Sequence, residues 1–222
     1  MNTWVYLQKN YPLALRLACE HVWIVGIALG IATVIGVPLG IFITRHESLA
    51  KRVLNVANVL MTIPSIALFG IMIPVLSVMD LGLGKVPAVI ALVLYSQLPI
   101  IRNTYTAVKN VPPAVVDAGK GMGMSRWVLL KEVELPLAIP VILAGLRTAA
   151  VMNIGIAAIA AYVGAGGLGL MISQGIDRTY EEMIMAGAVL VSILAIIVDG
   201  AMALMEQTLT PKGIKIQRKQ LQ

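Results

Sequence analysis

The chain alternates between long apolar runs and short polar turns, a pattern typical of helices that cross a membrane. A bilayer core requires about 20 mainly apolar residues per helix, so the sequence predicts about five spans. Their predicted limits are residues 22–44, 54–79, 86–105, 136–163 and 183–205. Pro64 and Pro74 interrupt the second run, and we expect a bent or broken helix there.

The segments outside these runs are more polar. Residues 1–21 mix aromatic, apolar and charged positions around Pro12, which predicts a segment lying at the membrane interface. Residues 109–135 form the longest polar interruption, and residues 206–222 form a polar tail. The predicted organisation is therefore an interfacial segment, one transmembrane domain over residues 22–205, and a tail.

The interruption at residues 109–135 carries its own helical pattern. Pro112 and Pro113 fit the first turn of a helix, where proline loses no hydrogen bond. Apolar positions then recur at helical spacing, at Val115, Ala118 or Gly119, and Met122. The pattern predicts a short amphipathic helix.

A second short helix is predicted directly after the first. Gly123 suits a left-handed C-cap, and Ser125 suits the N-cap of a helix that carries Trp127. Pro136 is predicted to end this helix and to start the next span. Two such helices between spans either dock onto a partner or pack on the membrane face of their own bundle.

Composition supports an all-α polytopic membrane helix bundle. Of the 222 residues, 59% are hydrophobic and 13% are charged, whereas soluble domains carry about 25% charged residues. Cys19 is the only cysteine, which excludes an intrachain disulfide. His21 and His46 are isolated from other ligand-type residues, so we expect no metal site.

The net charge of +6 is explained by loop topology rather than by nucleic acid. One side of the predicted membrane collects most basic residues: Arg45, Lys51, Arg52, Arg102, Lys109, Lys120, Arg126, Lys131, Lys212, Lys215, Arg218 and Lys219. The other side has Lys9, Arg16, Lys85 and Arg178. The positive-inside rule then puts the N-terminus outside and both the C-terminus and residues 109–135 in the cytoplasm.

Residues within this cytoplasmic loop resemble a known motif. Asp117-Ala118-Gly119, Gly123 and Leu135-Pro136 resemble the EAA loop of bacterial ABC-importer permeases, with Asp117 and Gly119 departing from its usual Glu and Ala. In that family the loop is a coupling helix that enters a groove of the ATPase subunit. The resemblance implies these coupling-loop residues: Asp117, Ala118, Gly119, Gly121, Met122, Gly123, Met124, Trp127 and Pro136.

A wider resemblance concerns the branch of the family. Residues 117–124, 144–149 and 163–169 resemble permeases that import glycine betaine, carnitine, choline and related osmoprotectants. The resemblance implies a type I ABC-importer permease fold in the bacterial inner membrane. A permease for an amino acid such as methionine is the alternative, because that branch has a similar layout and glycine-rich loop.

The resemblance also implies partners. No G-x-x-x-x-G-K-[ST] motif occurs, so ATP and Mg²⁺ would be bound by a separate pair of ATPase subunits, and we expect no cofactor in this chain. An extracytoplasmic substrate-binding protein and a second permease subunit, identical or paralogous, are also implied. Membrane lipid surrounds the bundle, and we expect no nucleic-acid partner. No convergent catalytic cluster is readable, which argues against a membrane enzyme.

Polar residues inside the predicted spans are candidates for the transport pathway. Ser96, Gln97 and Asn153 either bond neighbouring helices or line a path. Arg147 and Asp199 are costly inside a membrane, so we expect them to face the bundle interior or a polar cavity and hypothesise that they pair. A self-contained secondary carrier would need more buried ligands or pseudo-symmetric halves, which makes it the weaker alternative.

Overall fold

The computed structural model describes residues 2–210 as α-helices joined by turns. The helices are α1 (Thr3–Lys9), α2 (Tyr11–Ile43), α3 (Glu47–Thr62), α4 (Ser65–Ser77), α5 (Lys85–Lys109), α6 (Pro113–Gly121), α7 (Arg126–Leu129), α8 (Leu135–Ile159), α9 (Gly169–Asp177) and α10 (Glu181–Leu209). A π-helical turn, Leu130–Glu134, joins α7 to α8, and a 3₁₀ turn, Ala160–Val163, follows α8.

Four helical stretches are long and apolar enough to cross a membrane, or five if α3 and α4 count as one bent span. The four are α2, α5, the continuous stretch Arg126–Val163, and α10. The prediction of an all-α bundle with about five spans is confirmed.

The first long helix begins earlier than the predicted first span. Residues 3–21 form α1 and the first turns of α2, which starts at Tyr11 and runs unbroken to Ile43, and the position of residues 1–21 at the membrane interface stays a prediction. Pro12 lies in its first turn, where the missing N–H costs no bond, so Pro12 starts the helix rather than interrupting it. Leu17 and His21 are buried on this early part of α2.

The predicted bend in the second run is confirmed. The axes of α3 and α4 differ by 97°, with the break at Ile63 and Pro64. The Tyr95 hydroxyl, on α5, donates a hydrogen bond to the Ile63 carbonyl at the break. Pro74, by contrast, lies inside α4 without ending it.

The central core is formed by α2, α5 and α8. Buried residues at its centre are mostly small or β-branched: Ile24, Ala28, Ala88, Ala91, Leu92, Ile154 and Ala157. A Cβ added at Gly40 would lie 2.6 Å from Thr104 Cβ, and one at Gly145 would lie 2.6 Å from Asn103 Cβ. Such contacts show that glycine allows the three helix backbones to approach closely.

A short helix, α9, lies between the last two predicted spans. It packs against α10, and Gly175 and Gly187 make close contacts between the two. Leu168, Met171, Met183 and Ala186 form a second core with Leu17 of α2. Tyr6 of α1 and Ala14 of α2 belong to the same core, so the N-terminal residues are packed against the rest of the bundle.

The last helix extends a little beyond its predicted span, to Leu209. The predicted polar tail covers residues 206–222, and its part from residue 211 onward lies outside the described residues.

Candidate functional site

The loop between α5 and α8 contains the two predicted short helices. Pro112 precedes α6 and Pro113 is its first residue. Gly123 has φ +79°, and the Met124 N–H donates to the Gly119 carbonyl across the turn. The Ser125 hydroxyl accepts from the Val128 N–H at 3.4 Å, which caps α7 as predicted.

The predicted helix end at Pro136 is wrong. The chain is helical from Arg126 to Val163, and Pro136 lies in the first turn of α8. The π turn before it makes this possible, because the Leu135 N–H donates to the Leu130 carbonyl in a widened turn. The helix α7 is therefore continuous with the fourth span.

Two large apolar side chains of this loop are mostly exposed. Met122 is 71% exposed and Trp127 is 70% exposed. Asp117 and Lys120 form an exposed ion pair at 3.0 Å on the same surface. Packing of Met122 and Trp127 on the chain's own helices, the alternative that the sequence left open, is not observed.

The three glycines of the loop have different environments. Gly119 is buried, and a Cβ there would lie 2.5 Å from Leu129 Cδ1. Gly119 therefore allows α6 to pack on α7 and is not exposed to a partner. A Cβ at Gly121 or Gly123 would meet nothing within 4 Å, so these two leave the surface open.

A cleft of about 940 Å³ lies between this loop and the end of α2. Its polar lining is mainly basic: Arg45, His46, Lys120, Arg126 and the single acid Glu134. Arg45 Nη2 lies 3.2 Å from Glu134 Oε2. The sequence did not indicate this pair, because each residue lies in a polar turn beside other charged residues.

Two of the candidate pathway residues bond helices to each other. Asn153 Nδ2, on α8, donates to Ser96 Oγ, on α5, at 2.8 Å, and Ser96 Oγ donates to the Leu92 carbonyl at 2.8 Å. Both side chains are fully buried. Asn153 Oδ1 has no hydrogen-bond partner within residues 2–210. This geometry fits helix bonding for Ser96 and Asn153.

Gln97 is differently placed. Its Nε2 donates to the Val93 carbonyl at 3.2 Å, while its buried Oε1 has no partner in the described part of the chain. The residue lines an otherwise mainly apolar cleft of about 400 Å³ between α2, α3 and α5. Gln97 therefore stays the better candidate for a polar position facing a path.

The hypothesised pair of Arg147 and Asp199 is present. Arg147 Nε and Nη2 donate to Asp199 Oδ1 and Oδ2, each at 2.5 Å, in a bidentate pair that joins α8 to α10. The side chains are 36% and 41% exposed. They line a groove together with Thr148 and Glu206, outside the buried core of this chain, and a position in the bundle interior or a polar cavity stays a prediction.

At the opposite end of the bundle, a second polar cluster contacts the glycine-rich loop, which is formed by residues 163–169. Glu20 Oε2 accepts from the Gly167 N–H at 3.4 Å, and Glu20 Oε1 lies 3.5 Å from Lys85 Nζ. His21 Nε2 lies 3.0 Å from the Ile154 carbonyl. No sequence signal pointed to this cluster, because its members are far apart along the chain.

Within residues 2–210, no group of three His, Cys, Asp or Glu side chains could hold a metal ion. The loop α6–α7 presents exposed apolar side chains beside a basic cleft.

Comparison with known proteins identifies the class. Residues 36–211 match the family described as "Binding-protein-dependent transport system inner membrane component". The chain belongs to this family: it is a permease component of a transport system in the inner membrane, not a catalytic enzyme.

Curated relatives cover nearly the whole chain. It is 50% identical to the "Osmoprotectant import permease protein OsmW" of Salmonella typhimurium, over 97% of this chain and 100% of that protein. It is 44% identical to the "Glycine betaine/carnitine/choline transport system permease protein OpuCB" of Bacillus subtilis, over 95% of this chain and 94% of that protein.

Solved structures share the fold. A structure of the MetNI methionine ABC transporter, described as inward facing, matches with a TM-score of 0.82 at 24% identity, covering 91% of this chain and 99% of that one. An amino acid ABC transporter with histidines matches with a TM-score of 0.72 at 19% identity, covering 92% of this chain and 97% of that one. The type I ABC-importer permease fold is confirmed.

Proposed function

We propose that this chain is the transmembrane permease subunit of an ATP-driven importer for quaternary-amine osmoprotectants such as glycine betaine, carnitine or choline. The observation that carries the proposal is the loop α6–α7, which projects Met122 and Trp127 beside a basic cleft. The names of relatives at 40–50% identity support the substrate class.

The proposed engine is a separate pair of ATPase subunits that bind ATP and Mg²⁺. The 222-residue sequence contains no P-loop motif, so the chain needs an energy source in another subunit. A short helix with exposed methionine and tryptophan fits helix-in-groove recognition, in which flexible apolar side chains adapt to the groove. Closure of the ATPase pair would then displace α6–α7 and drive alternating access.

The proposed orientation places α6–α7 in the cytoplasm. Arg45, Lys120 and Arg126 cluster around the loop at one end of the bundle, whereas Glu20 and Lys85 pair at the other end. The positive-inside rule favours the first end as cytoplasmic, with the N-terminus outside and the C-terminus inside.

Two further partners belong to the proposal. An extracytoplasmic binding protein would select the substrate, because a quaternary ammonium is usually recognised by aromatic rings and this chain has only 5% aromatic residues. A second permease subunit would complete the pathway, because the central core of this chain is packed with side chains from α2, α5 and α8.

Uptake by the complete assembly tests the proposal. The chain is co-expressed with its candidate ATPase and binding protein, and uptake of labelled glycine betaine, carnitine, choline and methionine is measured. We expect uptake of at least one quaternary amine and little of methionine. Uptake of methionine alone would overturn the substrate class.

Copurification tests the docking loop. Met122→Asp introduces a charge that an apolar groove rejects, so we expect at least a tenfold loss of bound ATPase, since a desolvated charge costs several kcal/mol. Met122→Leu keeps an apolar side chain of similar size and is the matched control. Equal ATPase binding by both variants would contradict the docking role.

A further inference from the structure

We propose that the ion pair between Arg45 and Glu134 is a positioning contact that couples movement of the docking loop α6–α7 to α2. The inference rests on the proposed function, in which an ATPase moves this loop. Covalently, the loop is attached only to α5 and α8. The ion pair adds α2, the third helix of the central core.

Glu134 is held in an unusual position for a surface acid. It lies in the π-helical turn that connects the loop to α8, and its side chain is only 8% exposed. Lys131 and Glu132 on the same turn are exposed. The turn therefore directs one carboxylate inward, and π-helical turns are often found at functional sites.

Arg45 is anchored to α2. It lies two residues after Ile43, the last residue of α2, and its N–H donates to the Phe42 carbonyl. Ile43 is fully buried in a cluster with Ala50 and Ile101. The backbone at Arg45 thus moves with the end of α2, while the guanidinium reaches Glu134 at 3.2 Å.

The surrounding charges make the contact selective. Arg45, His46, Lys120 and Arg126 line the cleft, and Glu134 is the only acid among its lining residues. Asp117 lines a neighbouring cleft together with Lys109, Lys120 and both members of the pair. Without Arg45, this nearly buried carboxylate would lose its partner in the ion pair.

The mechanical consequence follows from the helix ends. The pair connects the turn after α2 with the turn before α8, so these two cytoplasmic-end junctions move together. A displacement of α6–α7 is then transmitted to α8 along the chain and to α2 through the ion pair. Without the pair, α2 can lag behind α8, and ATP hydrolysis proceeds with less transport.

The test measures coupling rather than assembly. The permease and its ATPase are reconstituted in vesicles with the binding protein, and uptake of glycine betaine is divided by ATP hydrolysed. Glu134→Gln should lower this ratio about threefold, because it removes one charge of the pair, and Arg45→Glu about tenfold, because it places two carboxylates side by side. Glu132→Gln, two residues away and exposed, is the matched control and should leave the ratio unchanged.

Charge exchange separates positioning from simple stabilisation. The double variant Arg45→Glu with Glu134→Arg should restore the ratio to within about twofold of the wild type, because the attraction is retained. A ratio unchanged in Glu134→Gln and Arg45→Glu, or a reduced amount of protein with normal coupling, would overturn the inference. Absence of ATP-driven uptake by the wild-type assembly would instead overturn the proposed function.

Discussion

At the scale of single residues, close contacts at glycines and pairs of opposite charges determine how segments of the chain pack together. Gly167 has φ +73°, and a Cβ there would lie 3.0 Å from His21 Nδ1. The glycine-rich loop can therefore lie directly on α2, where its N–H reaches Glu20. The glycine-rich loop is thus in close contact with the early part of α2.

The pair Arg147–Asp199 gives a prediction at this scale. Arg147→Ala or Asp199→Ala leaves one charge without its bidentate partner on an apolar surface, so we expect each variant to melt a few degrees lower in detergent and to accumulate less in membranes. The double alanine variant should lose less than the sum of the two losses.

Thr148→Ala is the control for that pair, because Thr148 lies in the same groove and its hydroxyl bonds only its own helix at Ala144. Thermal unfolding followed by tryptophan fluorescence provides the measurement. Additive losses in the double variant would show that the two charges act independently.

Sequence could predict one charge pair and not the other. Arg147 and Asp199 stand alone in apolar runs, so each has few candidate partners. Arg45 and Glu134 are 89 positions apart and lie in turns rich in charge. Nothing in the sequence distinguishes Glu134 from Glu132; the direction of each carboxylate depends on the π turn, which forms in the folded chain.

At the scale of elements, the docking loop is preformed. Both helix starts and the left-handed glycine were predicted from local chemistry, because proline, glycine and serine act within one or two residues of their position. The helix α9 was not predicted. Its nine residues begin and end near glycines, and its burial against α10 is a tertiary effect.

Gly123 provides a prediction for this element. Gly123→Val places a β-branched residue at φ +79°, which costs about 1–2 kcal/mol, so we expect the turn between α6 and α7 to open more often. Limited trypsin digestion at Lys120 and Arg126 should then become several-fold faster. Gly121→Ala occupies open space without a positive φ and should be cleaved at the wild-type rate.

That experiment needs no partner protein, so its result is independent of ATPase binding. Equal cleavage rates for Gly123→Val and the wild type would mean that the turn tolerates a side chain at this φ.

At the scale of the whole molecule, the two ends of the bundle differ in chemistry. One end carries the docking loop and the basic cleft, and the other carries the contact between Glu20, Lys85 and the glycine-rich loop. The number and order of spans were readable from hydropathy. Their exact ends were not: α2 starts before its apolar run, where Ala14 and Leu17 are buried in a core with other helices, and α10 continues to Leu209.

Membrane orientation gives the prediction at this scale. In a Cys19→Ser background, Arg178→Cys and Lys131→Cys each place one exposed thiol at opposite ends of the bundle. A membrane-impermeant maleimide should label Arg178→Cys in spheroplasts, whereas Lys131→Cys should react only after permeabilisation. The reverse pattern would invert the proposed topology.

The hydroxyl of Tyr95 on the carbonyl of Ile63 has a consequence for the order of biosynthesis. The break between α3 and α4 exposes a backbone acceptor, and its partner is made 32 residues later, on α5. In lipid, a carbonyl without a hydrogen-bond partner is costly. The helices α3 and α4 are therefore poorly suited to leave the translocon before α5. We expect residues 47–109 to partition into the bilayer together, as one insertion unit that waits for α5.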